Sequence, residues 1–258
     1  MPRRARVKSG SGIYHIMLRG ANRQEIFHDD EDCLSFIEIL QKYKLKTKVK
    51  IYGWCLMSNH VHLLVREGNE DISITMKRIG VSFVLYYNWK YETSGHLFQD
   101  RFKSENVEND QYLLTVVRYI HQNPLKAGIV KRMDEWRWSS CRPYYGINDE
   151  PRKLLDHEFI LGMFSEDITL AREKFKEFNE RVNQDQCLAD HVNERRFTDE
   201  EAREVIKKVL NGIEIAQLKS LPRLKRNEIL RKTKGIKGLS QRQTARILGV
   251  SRTLISKA

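Results

Sequence analysis

Three things are scarce in this sequence. The four cysteines, Cys33, Cys55, Cys141 and Cys187, lie far apart, and none forms a Cys-x-x-Cys pair. That argues against thiolate metal or redox motifs, and the residues read as reduced, packed thiols of a cytoplasmic protein. No apolar run approaches transmembrane length, and no apolar signal core follows the basic N-terminal residues Arg3, Arg4, Arg6 and Lys8, so no membrane partner is expected. Acids are scarce in one region. From Lys219 to Ala258 there are twelve Lys or Arg and a single acid, Glu228. That segment carries +11 of the formal net charge of +12, leaving +1 for everything before it. Charge concentrated in this way points to a phosphate backbone as partner, and the N-terminal cluster fits the same partner.

What remains is a globular chain of 258 residues, 40% apolar and 31% charged, long enough for a catalytic domain plus a smaller one. Gly12 to Leu18 reads as a strand, ended by turn chemistry at Arg19-Gly20-Ala21-Asn22-Arg23. Asp29 to Asp32 form a cap and acidic first turn for a helix through Cys33, Phe36, Ile37 and Leu40 to about Lys44. Val49–Leu56 and Asn59–Val65 are strands whose short connection predicts an antiparallel pair. A helix starts at Asp71 or Ser73 and ends near Gly95, and a fourth strand covers Arg101–Val107. Asp110 is expected to cap a helix that Pro124 stops. The order predicts an α+β fold: a mostly antiparallel sheet with helices packed on it. That domain is expected over residues 1–147, followed by a partly helical connector, 148–190. A helical domain, 191–258, contains two capped helices joined at Gly249, which read as a helix-turn-helix carrying Arg242, Arg252, Thr253 and Ser256 toward DNA.

The chemistry centres on His60-Val61-His62. Residues two apart in a strand share a face, so both imidazoles point one way while Val61, Leu63 and Val65 point into a core. Such a pair suits half of a metal site and equally suits two surface histidines. In the last helix of the domain, Tyr119 and Asn123 are four apart and share a face, while His121 faces elsewhere. A lone helical tyrosine is ordinarily a core aromatic, and spacing alone does not make it a nucleophile.

The ordered pieces Tyr14-His15-Ile16, Arg19-Gly20, Asn22-Arg23-Gln24, Cys55-Leu56-Met57-Ser58-Asn59-His60-Val61-His62-Leu63, Gly95-His96-Leu97-Phe98-Gln99-Asp100-Arg101-Phe102 and Arg118-Tyr119-Ile120-His121-Gln122-Asn123-Pro124 resemble the REP-associated tyrosine transposases, within the HUH endonuclease superfamily. The resemblance covers roughly residues 11 to 146, with Ser58 where the family often has proline. It implies a ferredoxin-like, RRM-like sheet and a metal-dependent enzyme that nicks and rejoins single-stranded DNA beside palindromic hairpins. Tyr119 would be the nucleophile, giving a 5′-phosphotyrosine, and His60, His62 and Asn123 would bind Mg²⁺ or Mn²⁺. Arg3, Arg4, Arg6, Lys8, Arg19, Arg23 and Lys103 are candidate DNA contacts, with Arg101 and Lys126 behind them. His15 lies either near the site or in strand packing. Single-stranded and hairpin DNA are the expected partners, with duplex DNA at the C-terminal domain. The protein is expected in the cytoplasm with the nucleoid, as a monomer or weak homodimer. The main rival is a catalytically silent, sequence-specific DNA-binding regulator. A zinc hydrolase lacks a carboxylate base and further ligands at suitable spacing.

Overall fold

Four antiparallel strands form the floor on which the histidine pair stands: β1 (Ile13–Arg19), β2 (Lys50–Met57), β3 (His60–Arg66) and β4 (Lys103–Asn106), in the order β2-β3-β1-β4. They come from a computed structural model that describes residues 7–147, 154–183, 185, 187, 197, 199–236 and 238–257. The chain divides into two units, Met1–Leu188 and Ala189–Ala258. The predicted β2–β3 hairpin is present, turning at Ser58 and Asn59, and the fourth strand is shorter than its sequence pattern suggested.

Six of the seven residues in both β1 and β3 are buried, because helices cover both faces. Ile16, Leu18, Leu63 and Val65 line the face that receives α1 (Asp30–Thr47) and α2 (Ile72–Lys90). Asp29 Oδ1 accepts from the Asp32 amide at 3.0 Å, and Asp71 Oδ1 from the Ser73 amide at 2.7 Å, so each helix starts on an aspartate cap. The other face is crossed by α3 (Asp110–Lys126). Its cap is Asn109, one residue before the expected Asp110, and it runs through Pro124 instead of stopping there. Proline removes one amide donor, but the Ala127 amide still reaches the Asn123 carbonyl at 2.9 Å, so the last turn survives.

Residues expected to form a connector are part of the first unit's core. After the short α4 (Cys141–Tyr144) and α5 (Glu158–Leu161), α6 (Ile168–Glu180) packs on α3. Phe175 is fully buried and stacks on Tyr144 with ring centroids 4.5 Å apart. His121 is buried edge-on against both and structural, its ring hydrogen-bonded to Ser140 Oγ at 2.9 Å and Asn179 Oδ1 at 3.3 Å. Segment 138–140 lies along β2: the Leu56 amide donates to the Trp138 carbonyl and the Ser140 amide to the Trp54 carbonyl, both at 2.9 Å.

The second unit holds α7 (Asp199–Leu210), α8 (Arg223–Lys234), α9 (Gln241–Leu248) and α10 (Arg252–Lys257) around Ile206, Leu230, Leu248 and Ile255. Thr198, whose place before Asp199-Glu200-Glu201 suits a helix cap, falls outside the described residues. The turn between α9 and α10 follows its sequence: Ser240 Oγ accepts from the Gln243 amide, Gly249 takes φ 65°, and Ser251 Oγ accepts from the Leu254 amide. Among the described residues no helix is long and apolar enough to cross a membrane.

If α6 belongs to the core, Phe175→Ala costs about 3–5 kcal/mol. Urea unfolding of the variant checks this, and a loss below about 1 kcal/mol would make α6 an appendage.

Candidate functional site

Strand alternation and register together gather one polar patch on the face that α3 crosses. On β3, His60 and His62 point the same way. Across the sheet, Arg19 pairs with His60 and Met17 with His62, and Lys103 of β4 pairs with Met17. Residues paired directly opposite share a face, so Arg19 and Lys103 join the histidine side. His15, two positions before Met17, does so as well.

His15 is fully buried, and its Nε2 shares a hydrogen bond with His62 Nδ1 at 3.0 Å. The reading that left His15 between site and packing is resolved by this contact: it lies directly against His62. Tyr119 comes down from α3 onto both rings, edge-on, with centroids 5.7 Å from His15 and 5.6 Å from His62. His60 and His62 have ring centroids 5.0 Å apart. The structure therefore gathers His15, His60, His62 and Tyr119, although Tyr119 is far from the histidines in sequence.

The turn after β1 orients His60. A side chain at Gly20 would run into the Gln24 carbonyl and the Ile26 side chain, so only glycine fits there. The Gly20 amide donates to the Asn59 carbonyl at 2.9 Å, and Asn59 Nδ2 donates to the Arg23 carbonyl at 3.3 Å. With its nitrogen so engaged, the Asn59 amide turns its oxygen to His60 Nδ1, 2.6 Å away. An amide oxygen only accepts, so the proton sits on Nδ1 and Nε2 carries the lone pair. His62 Nε2 is buried and has no hydrogen-bond partner among the described residues. Burial, reinforced by His60, His15 and Arg19, holds His62 well below the ordinary histidine range, and burial pushes His15 down to about 3. Both rings are therefore neutral at neutral pH, the form in which imidazole binds a cation. These observations fit a divalent metal: a buried nitrogen with no partner among the described residues, and a second imidazole in the ligating tautomer.

Asn123 lies one turn beyond Tyr119, half-buried, with Nδ2 donating to the Tyr119 carbonyl at 3.0 Å, which leaves the amide oxygen as its ligating end. Lys126 Nζ lies 5.6 Å from the Tyr119 ring centroid. Among the described residues no group of three or more His, Cys, Asp or Glu could hold a metal ion, so a metal site here would need a ligand of another residue type. The remaining basic candidates are more scattered. Lys8 is exposed and pairs with Asp71 at 3.3 Å, and Arg23 is exposed in a left-handed turn, φ 63°. Arg3, Arg4 and Arg6 fall outside the described residues. In the second unit Arg242 is exposed on α9, and Arg252, Thr253 and Ser256 are exposed on α10, whose Ile255 is buried in that unit's core.

Comparison with known proteins bears on the same residues. Residues 8–123 match the family model described as Transposase IS200 like. The match spans just under half of the chain, includes His15, His60, His62 and Tyr119, and ends on Asn123. The REP-associated tyrosine transposase of Escherichia coli strain K12 is 26% identical over 140 residues, covering 54% of this chain and 80% of that protein. A solved structure of a REP-associated tyrosine transposase bound to a REP hairpin is 21% identical, with a TM-score of 0.49, covering 58% of this chain and 89% of that one. The family and these relatives are transposases, which are DNA-processing enzymes.

The buried imidazoles make stability depend on pH. His15 and His121 are each pushed down to about 3 by burial. The unfolded chain takes up these protons below about pH 6.5, while the folded chain refuses them. The stabilisation is therefore fully present above about pH 6.5 and is lost as pH falls toward about 3. Each histidine contributes a slope of about 1.4 kcal/mol per pH unit within that window. Urea midpoints measured between about pH 6.5 and 5, where carboxylates remain ionised, should fall steadily with pH, and a flat profile would contradict burial of neutral rings.

Proposed function

We propose that this chain is an IS200-like, REP-associated tyrosine transposase, a metal-dependent enzyme that nicks and rejoins single-stranded DNA beside palindromic hairpins. The observation that carries the reading is Tyr119 packed edge-on against His62, on the face that also bears His60, with His62 Nε2 buried and without a hydrogen-bond partner among the described residues.

His60 Nε2, His62 Nε2 and the Asn123 amide oxygen would hold Mg²⁺ or Mn²⁺. When bound, the cation polarises the scissile phosphate and offsets the charge that builds on it. The chain's own residues do the rest. Tyr119 is weakly nucleophilic at neutral pH and depends on being positioned. Its phenolic oxygen forms a bond to phosphorus and loses its proton. The bond from phosphorus to the 3′ oxygen breaks, and that oxygen takes up a proton and leaves as a free 3′-hydroxyl. The product is a 5′-phosphotyrosine. Attack by a 3′-hydroxyl reverses these bond changes and joins strands without ATP. Arg19 and Lys103, on the histidine face, would hold neighbouring phosphates, with Lys8, Arg23 and the N-terminal arginines Arg3, Arg4 and Arg6 extending the path. The basic second unit would bind the hairpin stem or other duplex DNA through Arg242, Arg252, Thr253 and Ser256. Because Tyr119 meets the histidines of its own chain, a monomer or weak dimer suffices for the chemistry. Such an enzyme would work in the cytoplasm, on the nucleoid.

Incubation with labelled single-stranded hairpin DNA and Mg²⁺ or Mn²⁺, followed by denaturing electrophoresis, should give a covalent protein–DNA band. Tyr119→Phe should abolish the band and leave hairpin binding intact, and adduct formation by that variant would sink the assignment. His62→Ala or removal of metal with a chelator should abolish it as well, and re-addition of either cation should restore only the chelated wild type. Binding with no adduct in the wild type would indicate the silent regulator.

Duplex binding by the second unit has its own signature. Arg252→Ala should weaken binding to duplex DNA across sequences and reduce the slope of log affinity against log salt by about 1. An unchanged salt slope would remove α10 from the DNA interface.

A further inference from the structure

The helix carrying Tyr119 is gripped on one flank by a segment outside the stretch that matches the family. From the last turn of α6 onward the chain crosses α3 through Asn179, Arg181, Asn183 and Asp185. Gln122 is buried and fully engaged there: its Nε2 donates to the carbonyls of Asn179 at 2.8 Å and Arg181 at 3.1 Å, and its Oε1 accepts from Asn183 Nδ2 at 2.9 Å. One turn earlier, Arg118 forms a bidentate pair with Asp185, Nε to Oδ2 at 2.7 Å and Nη2 to Oδ1 at 3.1 Å. One turn later, Lys126 Nζ donates to Asn183 Oδ1 at 3.3 Å. Arg118, Gln122 and Lys126 are spaced four apart, so three successive turns of one stripe are held.

We propose that this strap is a positioning device for the tyrosine: it fixes the rotation of α3 about its axis and thereby the place of the Tyr119 hydroxyl over the histidine face. At about 100° per residue, Arg118 and Gln122 sit on the flank next to Tyr119 and on the side away from Asn123. Apolar packing of Ile120 and Val116 keeps the helix on the sheet but resists rotation weakly, because dispersion contacts are not directional. A bidentate ion pair and a saturated amide pair are directional. The phenolic oxygen lies several ångströms from the helix axis, so a turn of roughly 10° would displace it by about 1 Å, enough to cost about a hundredfold in rate when geometry governs reactivity. In this role Asn183 and Asp185 act through Arg118, Gln122 and Lys126 of α3.

The inference rests on Tyr119 being the nucleophile, so the test separates the two ideas. Single-turnover adduct formation is measured on the full chain with saturating hairpin DNA and Mn²⁺, alongside hairpin affinity and a urea unfolding curve. Asn183→Ala/Asp185→Ala should lower the maximal rate at least about tenfold while the hairpin concentration giving half-maximal rate stays put. Asp185→Glu, which keeps the carboxylate for Arg118, should retain most of the rate. An unchanged rate in the double variant, or a loss that only tracks the unfolded fraction, would overturn the strap's role. If Tyr119→Phe abolishes the adduct while the double variant is unaffected, the strap fails alone. If Tyr119→Phe still forms the adduct, the nucleophile assignment itself fails.

Discussion

The packing of α3 across β2 and β3, with Tyr119 reaching His15 on β1, is the contact on which the rest of this molecule depends. It buries His15 and His62 completely, excludes water from the sheet, and sets Tyr119 against both rings. Without that cover the two imidazoles would be solvated surface groups, and His62 Nε2 would find water as its partner. The same contact explains why the segment after the domain is needed: α6 and the chain beyond it seal the outer side of α3, with Phe175 against Tyr144 and Asn179 against His121.

The burial has an electrostatic consequence. Desolvation disfavours the charged form, so His15 and His62, which would titrate near about pH 6.5 in water, are kept neutral. A neutral ring retains a lone pair, and each ring here has its other nitrogen engaged: His60 Nδ1 by the Asn59 amide and His62 Nδ1 by His15. Partners of this sort set tautomer and orientation in metal sites generally. Positive charge stands at the edge of the patch, at Arg19 and Lys103, where it can meet a phosphate without disturbing the neutral centre.

The two units differ in charge. The first carries nearly balanced charge and concentrates its unusual features in one small patch. The second holds most of the net positive charge on short helices around a small apolar core, with Arg252 and Ser256 one turn apart on an exposed flank. A strongly basic surface built on so few buried residues suits phosphate binding, since affinity there comes from counterion release and does not require an extended rigid site.

Much of the framework was legible locally. Alternation in Ile13–Arg19 and His60–Arg66, aspartate caps at Asp29 and Asp71, and the Ser240, Gly249 and Ser251 turn are written in neighbouring residues, because caps and strand faces depend on chemistry within a few positions. The candidates His60, His62, Tyr119 and Asn123 could be named the same way, through their spacing and their likeness to a family. Local signals misplaced the stop at Pro124 and could not show that 154–185 belongs to the first unit, because a proline near a helix end and a weakly periodic segment are settled by what packs on them. Only the tertiary structure put His15 against His62, Arg19 and Lys103 on the histidine face, and Asn183 and Asp185 on the tyrosine helix. Strand register and helix crossing are set by the packing of residues distant in sequence, and no local period encodes them.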